Sequence, residues 1–172
     1  DEMSVTVSQP MPNGSFEQDL AGWNASGNLE VSTSPAPTDG SKLIAFNAGN
    51  MPPDGVISRT FETTWGCIYR VTFDAGILAY DRGSQALQVT VAGAASGIVR
   101  ASQTFPIDGP SGGRTTWKPR SVFFKAYDPE TRIEFRDVSA MTRSMDLLLD
   151  NVKITDFGLA LHNDSTLTQE GQ

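Results

Sequence analysis

Between Ile68 and Leu78 the side chains alternate strictly: Tyr69, Val71, Phe73, Ala75 and Ile77 are apolar, and Arg70, Thr72, Asp74 and Gly76 fall between them. A helix turns about 100° per residue and would scatter such a set around its circumference. A strand places it on one face. The stretch is therefore read as a strand with one face in a core and the other toward solvent or ligand. The same period puts Leu87, Val89 and Val91 inward with Gln88 and Thr90 outward, and Ile133 and Phe135 inward with Glu134 and Arg136 outward. Val122 and Phe124 point in, leaving Ser121, Phe123 and Lys125 outside. Further strands are expected over Leu29–Thr33, Lys42–Asn47, Val56–Thr63, Gly97–Phe105 and Leu147–Phe157. Turn-forming clusters separate them, at Pro35-Ala36-Pro37, Met51–Gly55, Asp81-Arg82-Gly83, Asp108–Gly113 and Asp128-Pro129. Short strands with no helical pattern between them imply an all-β antiparallel sandwich rather than a parallel α/β fold.

A chain of 172 residues fits one such domain. The expected organisation is a lead over 1–11, the sandwich over 12–158 and a polar tail or linker over 159–172, which suggests a module of a larger exported chain. The net charge of −7 argues against nucleic acid and anionic membranes, both of which favour a basic surface. It also disfavours polyanionic sugars unless a local patch departs from the mean. Cys67 is the only cysteine, so no intrachain disulfide or thiolate metal cluster forms. No apolar run is long enough to cross a membrane, and the opening Asp1-Glu2-Met3 does not look like a signal peptide. Sequons occur at Asn13, Asn24 and Asn163.

Two short segments near the ends carry more specific information. Pro12-Asn13-Gly14-Ser15-Phe16-Glu17 is followed by Gly22-Trp23, and Leu149-Asp150-Asn151-Val152 lies near the far end. Between them run Asp39-Gly40-Ser41, Ile57–Phe61, Ile68–Phe73, and Trp117 leading into Ser121–Phe124. In this order the set resembles the galactose-binding-like jelly-roll domains, which include many carbohydrate-binding modules and exported bacterial and plant cell-wall domains. The resemblance spans roughly 12–157 and implies a jelly-roll sandwich whose first and last strands carry the terminal motifs. It also implies glycan binding and a structural calcium near where those strands meet, with oxygens from Glu17, Asp39, Asp150 and the backbone near Ser41 and Lys42. Calcium takes six to eight hard oxygens, which carboxylates and carbonyls supply. The alternative is that Glu17 and Asp150 accept hydrogen bonds from backbone amides or pair with Lys42.

Sugar binding calls for an exposed aromatic ring to stack on a pyranose, with polar groups beside it for the hydroxyls. Trp23, Tyr69, Phe73, Phe124 and Phe135 fit inward positions, and Trp117, at a strand start, is expected to cap the core. Phe123 faces outward. If their strands are neighbours, Asp74, Gln88, Phe123, Glu134 and Arg136 form one polar face with an aromatic in it. The other candidate surface is the loop rim, with Tyr80, Asp81, Arg82, Met51 and Trp65. Catalysis has little to work with: the single histidine, His162, lies in the expected tail, and Cys67 reads as a small core residue. The expectation is a non-catalytic, extracellular or cell-surface module that binds a glycan or cell-wall polysaccharide and carries calcium. Its rivals are a structural or adhesion domain with a protein partner and a small glycoside-acting enzyme.

Overall fold

The computed structural model describes residues 7–159. The expected tail, with His162 and the Asn163 sequon, lies outside the described residues apart from Leu159. Among the described residues eleven strands run in chain order: β1 (Val7–Pro10), β2 (Asn24–Ser26), β3 (Leu29–Ser32), β4 (Leu43–Phe46), β5 (Val56–Glu62), β6 (Ile68–Ala79), β7 (Ser84–Gly93), β8 (Val99–Asp108), β9 (Arg114–Lys125), β10 (Glu130–Asp137) and β11 (Met145–Asp156). They form two antiparallel sheets. The first has the order β3-β4-β11-β6-β9, with β1 also on β11, and the second the order β2-β5-β10-β7-β8. Among the described residues no helix is long and apolar enough to cross a membrane.

The alternation read from the sequence is what fills the space between the sheets. Val71, Phe73 and Ile77 from β6 meet Leu87, Val89 and Val91 from β7 and Ile133 and Phe135 from β10, all buried. Phe73 sits edge-on to both Phe105 and Phe135 at centroid distances of 5.5 and 5.2 Å, a geometry that aligns ring edge with ring face. Pro106 and Pro119 lie in β8 and β9, the edge strands of the two sheets. A residue without an N–H costs no ladder bond there.

Three expectations change. The segment carrying Asn13 to Trp23 is a run of turns between β1 and β2, not a strand. Asn13, Phe16 and Asp19 have φ of 56°, 61° and 58°, which breaks an extended chain. The Asn13 side chain organises the bend, accepting from the Gln18 amide and donating to the carbonyls of Asp19 and Ala21. Secondly, β1 falls within the expected lead and pairs with Lys153–Asp156 of β11. Thirdly, Trp117 lies mid-strand on the outer face of the first sheet, over Gly76. There it covers a small second cluster of Leu43, Ala45 and Leu148.

Trp23 is buried against Phe16 and Phe135 at 5.3 and 6.4 Å, and its indole N–H donates to the Asn13 carbonyl at 2.9 Å. Trp23→Ala is expected to cost about 3–5 kcal/mol, the usual loss for a buried large aromatic. Chemical denaturation measures this, and a loss under about 1 kcal/mol contradicts the placement.

Candidate functional site

The three motifs shared by the two ends of the chain meet at one place. Asp150 of β11, fully buried, accepts at one oxygen from the amides of Thr38 and Asp39, both at 3.0 Å, and from the Thr38 hydroxyl at 3.3 Å. Its other oxygen accepts from the Asn151 amide at 2.8 Å. Glu17 accepts from the amide and hydroxyl of Ser41, both at 3.0 Å, and from the Lys42 amide at 2.9 Å. Gly40, between the two amide pairs, has φ of 69°, and a Cβ there would lie 2.5 Å from the Glu17 carboxyl carbon. Only glycine fits both constraints. Gly14 is pressed against β11 in the same way, since a Cβ would stand 2.1 Å from the Val152 carbonyl oxygen. The segment from Thr38 to Lys42 is thus clamped over the first sheet by two carboxylates.

This donor set does not fit calcium as arranged. The groups facing Glu17 and Asp150 are N–H and O–H donors where a cation needs oxygen lone pairs. Asp39 receives the Ser15 hydroxyl, and the Lys42 ammonium is on Asp19 at 2.9 Å. Among the described residues no group of three His, Cys, Asp or Glu side chains is placed to hold a metal. Of the two readings open at the sequence level, the geometry matches amide capping. The pKa values of the two carboxyls are displaced in opposite directions. Chiefly the Ser41 amide holds Glu17 below the ordinary carboxylate range, whereas burial pushes Asp150 up to about 6 against the amides of Asp39, Asn151 and Thr38.

The sugar-face residues separate. Asp74 and Phe123 lie on the outer face of the first sheet, on β6 and β9. Gln88, Glu134 and Arg136 lie on the outer face of the second, on β7 and β10. The sandwich core stands between the two groups, so they form two surfaces and not one. On the second sheet Arg136 pairs with Glu134 at 3.3 Å among serines and threonines, with no aromatic side chain.

The first sheet carries more. Phe123 is 56% exposed, and the Arg70 guanidinium lies 5.9 Å from its ring and 5.4 Å from that of Phe157. Beside this stack runs an open groove of about 610 Å³, lined by Arg70, Thr72 and Asp74 of β6, Pro119 and Ser121 of β9, and Asn151 and Lys153 of β11, and reaching at the sandwich edge to Arg120 and the rings of Phe73 and Phe105. Its floor is shaped by a bulge where two residues of β11, Asn151 and Val152, oppose Phe73 alone. Asn151 takes φ of 58° there and donates to Asp74 at 3.2 Å. Arg70 Nε and Asn151 Oδ1 are shielded from solvent and have no hydrogen-bond partner among the described residues. Arg70, Arg120, Ser121, Asn151, Lys153 and Phe157 were not singled out from sequence. Arg70 and Ser121 were readable as outward on their strands, whereas the bulge at Asn151 leaves little trace beyond asparagine's tolerance of positive φ.

The loop rim also divides. Tyr80, Asp81, Arg82 and Met51 are on loops at one end of the sandwich, and Trp65 is at the other. Trp65, 66% exposed, stands edge-on to Tyr127 at 5.4 Å. Cys67 is buried, and burial followed by nearby Asp156 pushes its thiol up, which makes it a weak nucleophile.

The clamps lead to one experiment with two arms. A folded-state carboxyl near 6 binds more protons than its unfolded counterpart between about pH 4 and 6, so the Asp150 contribution to stability falls as pH rises through that window. Asp150→Asn should flatten this part of a melting-temperature profile, and parallel profiles for variant and wild type contradict it. Excess chelator should leave the wild-type melting temperature unchanged. A drop of several degrees that calcium restores would reinstate the metal.

Comparison with known proteins agrees with this architecture. The carbohydrate-binding module TmCBM61, solved with β-1,4-galactotriose, superposes with a TM-score of 0.59 at 17% identity, over 85% of this chain and 97% of that one. The CBM22-1 xylan-binding domain from Paenibacillus barcinonensis gives 0.57 at 13% identity, over 91% and 97%. The Stig cyclase Fisc from Fischerella sp. TAU gives 0.67 at 17% identity, over 88% and 98%. At these identities the likeness establishes the fold, the jelly-roll sandwich found in carbohydrate-binding modules. No match is found among curated protein sequences. Residues 11–155 match the family described as protein of unknown function DUF642, and the chain belongs to that family.

Proposed function

We propose that this domain binds a glycan without acting on it, in the groove on the outer face of the first sheet. The observation that carries the reading is an exposed ring, Phe123, standing against Arg70 beside a polar groove that Arg70, Asp74, Ser121 and Asn151 line. A sugar offers hydroxyls that donate and accept, the two kinds of bond that the polar side chains lining the groove can make. Phe123 supplies the apolar face on which a pyranose stacks, with Arg70 fixed behind it. Asp74, oriented by Asn151, and Ser121 face the remaining hydroxyls. The sandwich is shared with sugar-binding modules, which favours a glycan over other small ligands, and an extracellular or cell-surface setting fits such a ligand. The reading needs no metal at the amide clamps. A non-catalytic role is favoured because the described residues hold no histidine and their one cysteine is buried.

A second reading has one observation in its favour. Trp65 and Tyr127 form an exposed aromatic corner at one end of the sandwich, with Arg100 and Lys125 over the Tyr127 ring at 4.6 and 5.5 Å. A loop-end site would use that corner in place of the groove.

Sugar hydroxyls exchange bonds with water for bonds with protein, so net affinity is modest and dissociation constants in the micromolar to millimolar range are expected. Calorimetry against hits from a glycan array tests the site. Phe123→Ala should weaken binding about tenfold or more with less than about 1 kcal/mol lost in stability, because an exposed ring leaves no cavity. Tyr80→Ala and Arg136→Ala should leave affinity unchanged. If Trp65→Ala alone removes binding, the site is at the loop end.

A further inference from the structure

The groove carries a charge opposite to that of the protein. Arg70, Arg120 and Lys153 line it, against the single carboxylate of Asp74, in a chain whose net charge is −7. None of the three cations has a carboxylate partner among the described residues. Arg70 stacks on two rings, and Arg120 donates to its own neighbour's carbonyl at Pro119 and lies 6.0 Å from the Phe105 ring. Lys42, Arg100 and Arg136 are paired with acids, so what sets the groove apart is the gathering of three cations about one acid. The one acid in the groove, Asp74, is held by the neutral Asn151 amide.

Resting on the proposed glycan site, we propose that its ligand is an acidic glycan, and that a uronic acid carboxylate is read by Arg70 and Lys153 while its ring stacks toward Phe123. The overall negative charge does not forbid this. Screening at physiological salt confines a charge's reach to about 8 Å, so a bound carboxylate responds to the groove's own cations. Arg70 is suited to the task because its planar fork matches a carboxylate and the flanking rings hold it in place. Lys153 follows the β11 bulge and stands exposed across the groove from β9 as a point charge. Arg120, on the inward face of β9 opposite Phe73, lies over the Phe105 ring at the sandwich edge and adds positive charge to that end of the groove.

The test is calorimetric titration with trigalacturonic acid, its methyl ester and neutral β-1,4-galactotriose, at two salt concentrations. Loss of one charge-assisted hydrogen bond corresponds to at least about a tenfold change in affinity. The acid should bind at least tenfold tighter than its ester and weaken with added salt. Lys153→Gln, which changes an exposed side chain and should not perturb folding, should cut acid binding without altering ester binding, whereas Arg70→Gln, which also removes the support of the Phe123 ring, should weaken both ligands and the acid more. Arg132→Gln, on the second sheet, should change neither. Equal affinity for acid and ester, both lost in Phe123→Ala, overturns the acidic-ligand proposal while leaving the glycan site standing. Binding of the acid that is insensitive to Lys153→Gln and Arg70→Gln also overturns it. If none of these probes binds and no array glycan does, the site itself is refuted.

Discussion

The buried carboxylate of Asp150 is the interaction on which the local architecture depends. A fully buried charge is tolerated only when its lone pairs are satisfied, and four donors, from Thr38, Asp39 and Asn151, meet it here. Three of them, from Thr38 and Asp39, come from a loop more than a hundred residues away in sequence, so this one side chain ties the early crossover to the last strand. Glu17 repeats the arrangement one turn later on the same loop, at Ser41 and Lys42. Loop and sheet are thereby held in register without a disulfide, consistent with a chain that has a single, buried cysteine.

The clamp has a consequence for the neighbouring surface. Asn151, the next residue, turns into the left-handed region and opens the bulge of β11. Where β4 stops pairing with β11 at Leu149, β1 takes over at Lys153, and the bulge lies in the gap. The outer face of the first sheet is therefore uneven: Trp117, Leu43, Ala45 and Leu148 cover one half, and the groove with Phe123 beside it occupies the other. Acids are fixed at the clamps and cations are left along the groove, so a protein that is acidic on average presents a basic strip at one place.

Much of the fold was readable from the residues. Period-two alternation located β6, β7, β9 and β10 and sorted their inward from outward side chains, because a pleat makes that assignment local. It says nothing of which sheet a strand joins. That depends on crossovers, and here β6 and β9 pair in one sheet while β7 and β10 pair in the other. Phe123 and Asp74 were for this reason correctly outward yet wrongly grouped with Gln88, Glu134 and Arg136. The terminal motifs marked residues that the fold brings together, and the geometry there matches amide capping, since a carboxylate facing amides and one facing a cation have the same sequence. Backbone direction decides between them, and Gly40, at φ of 69°, stands where the chain passes from the amides that face Asp150 to those that face Glu17.

The central claim is that ligand meets the outer face of the first sheet. Titrating nitrogen-15-labelled protein with trigalacturonic acid and galactotriose, while following backbone amide shifts, tests it most directly. The changes should be concentrated at Arg70, Thr72 and Asp74, at Ser121 and Phe123, and at Asn151 and Lys153. Saturating changes at Gln88, Thr90, Glu134 and Arg136, with the groove amides unmoved, would contradict it.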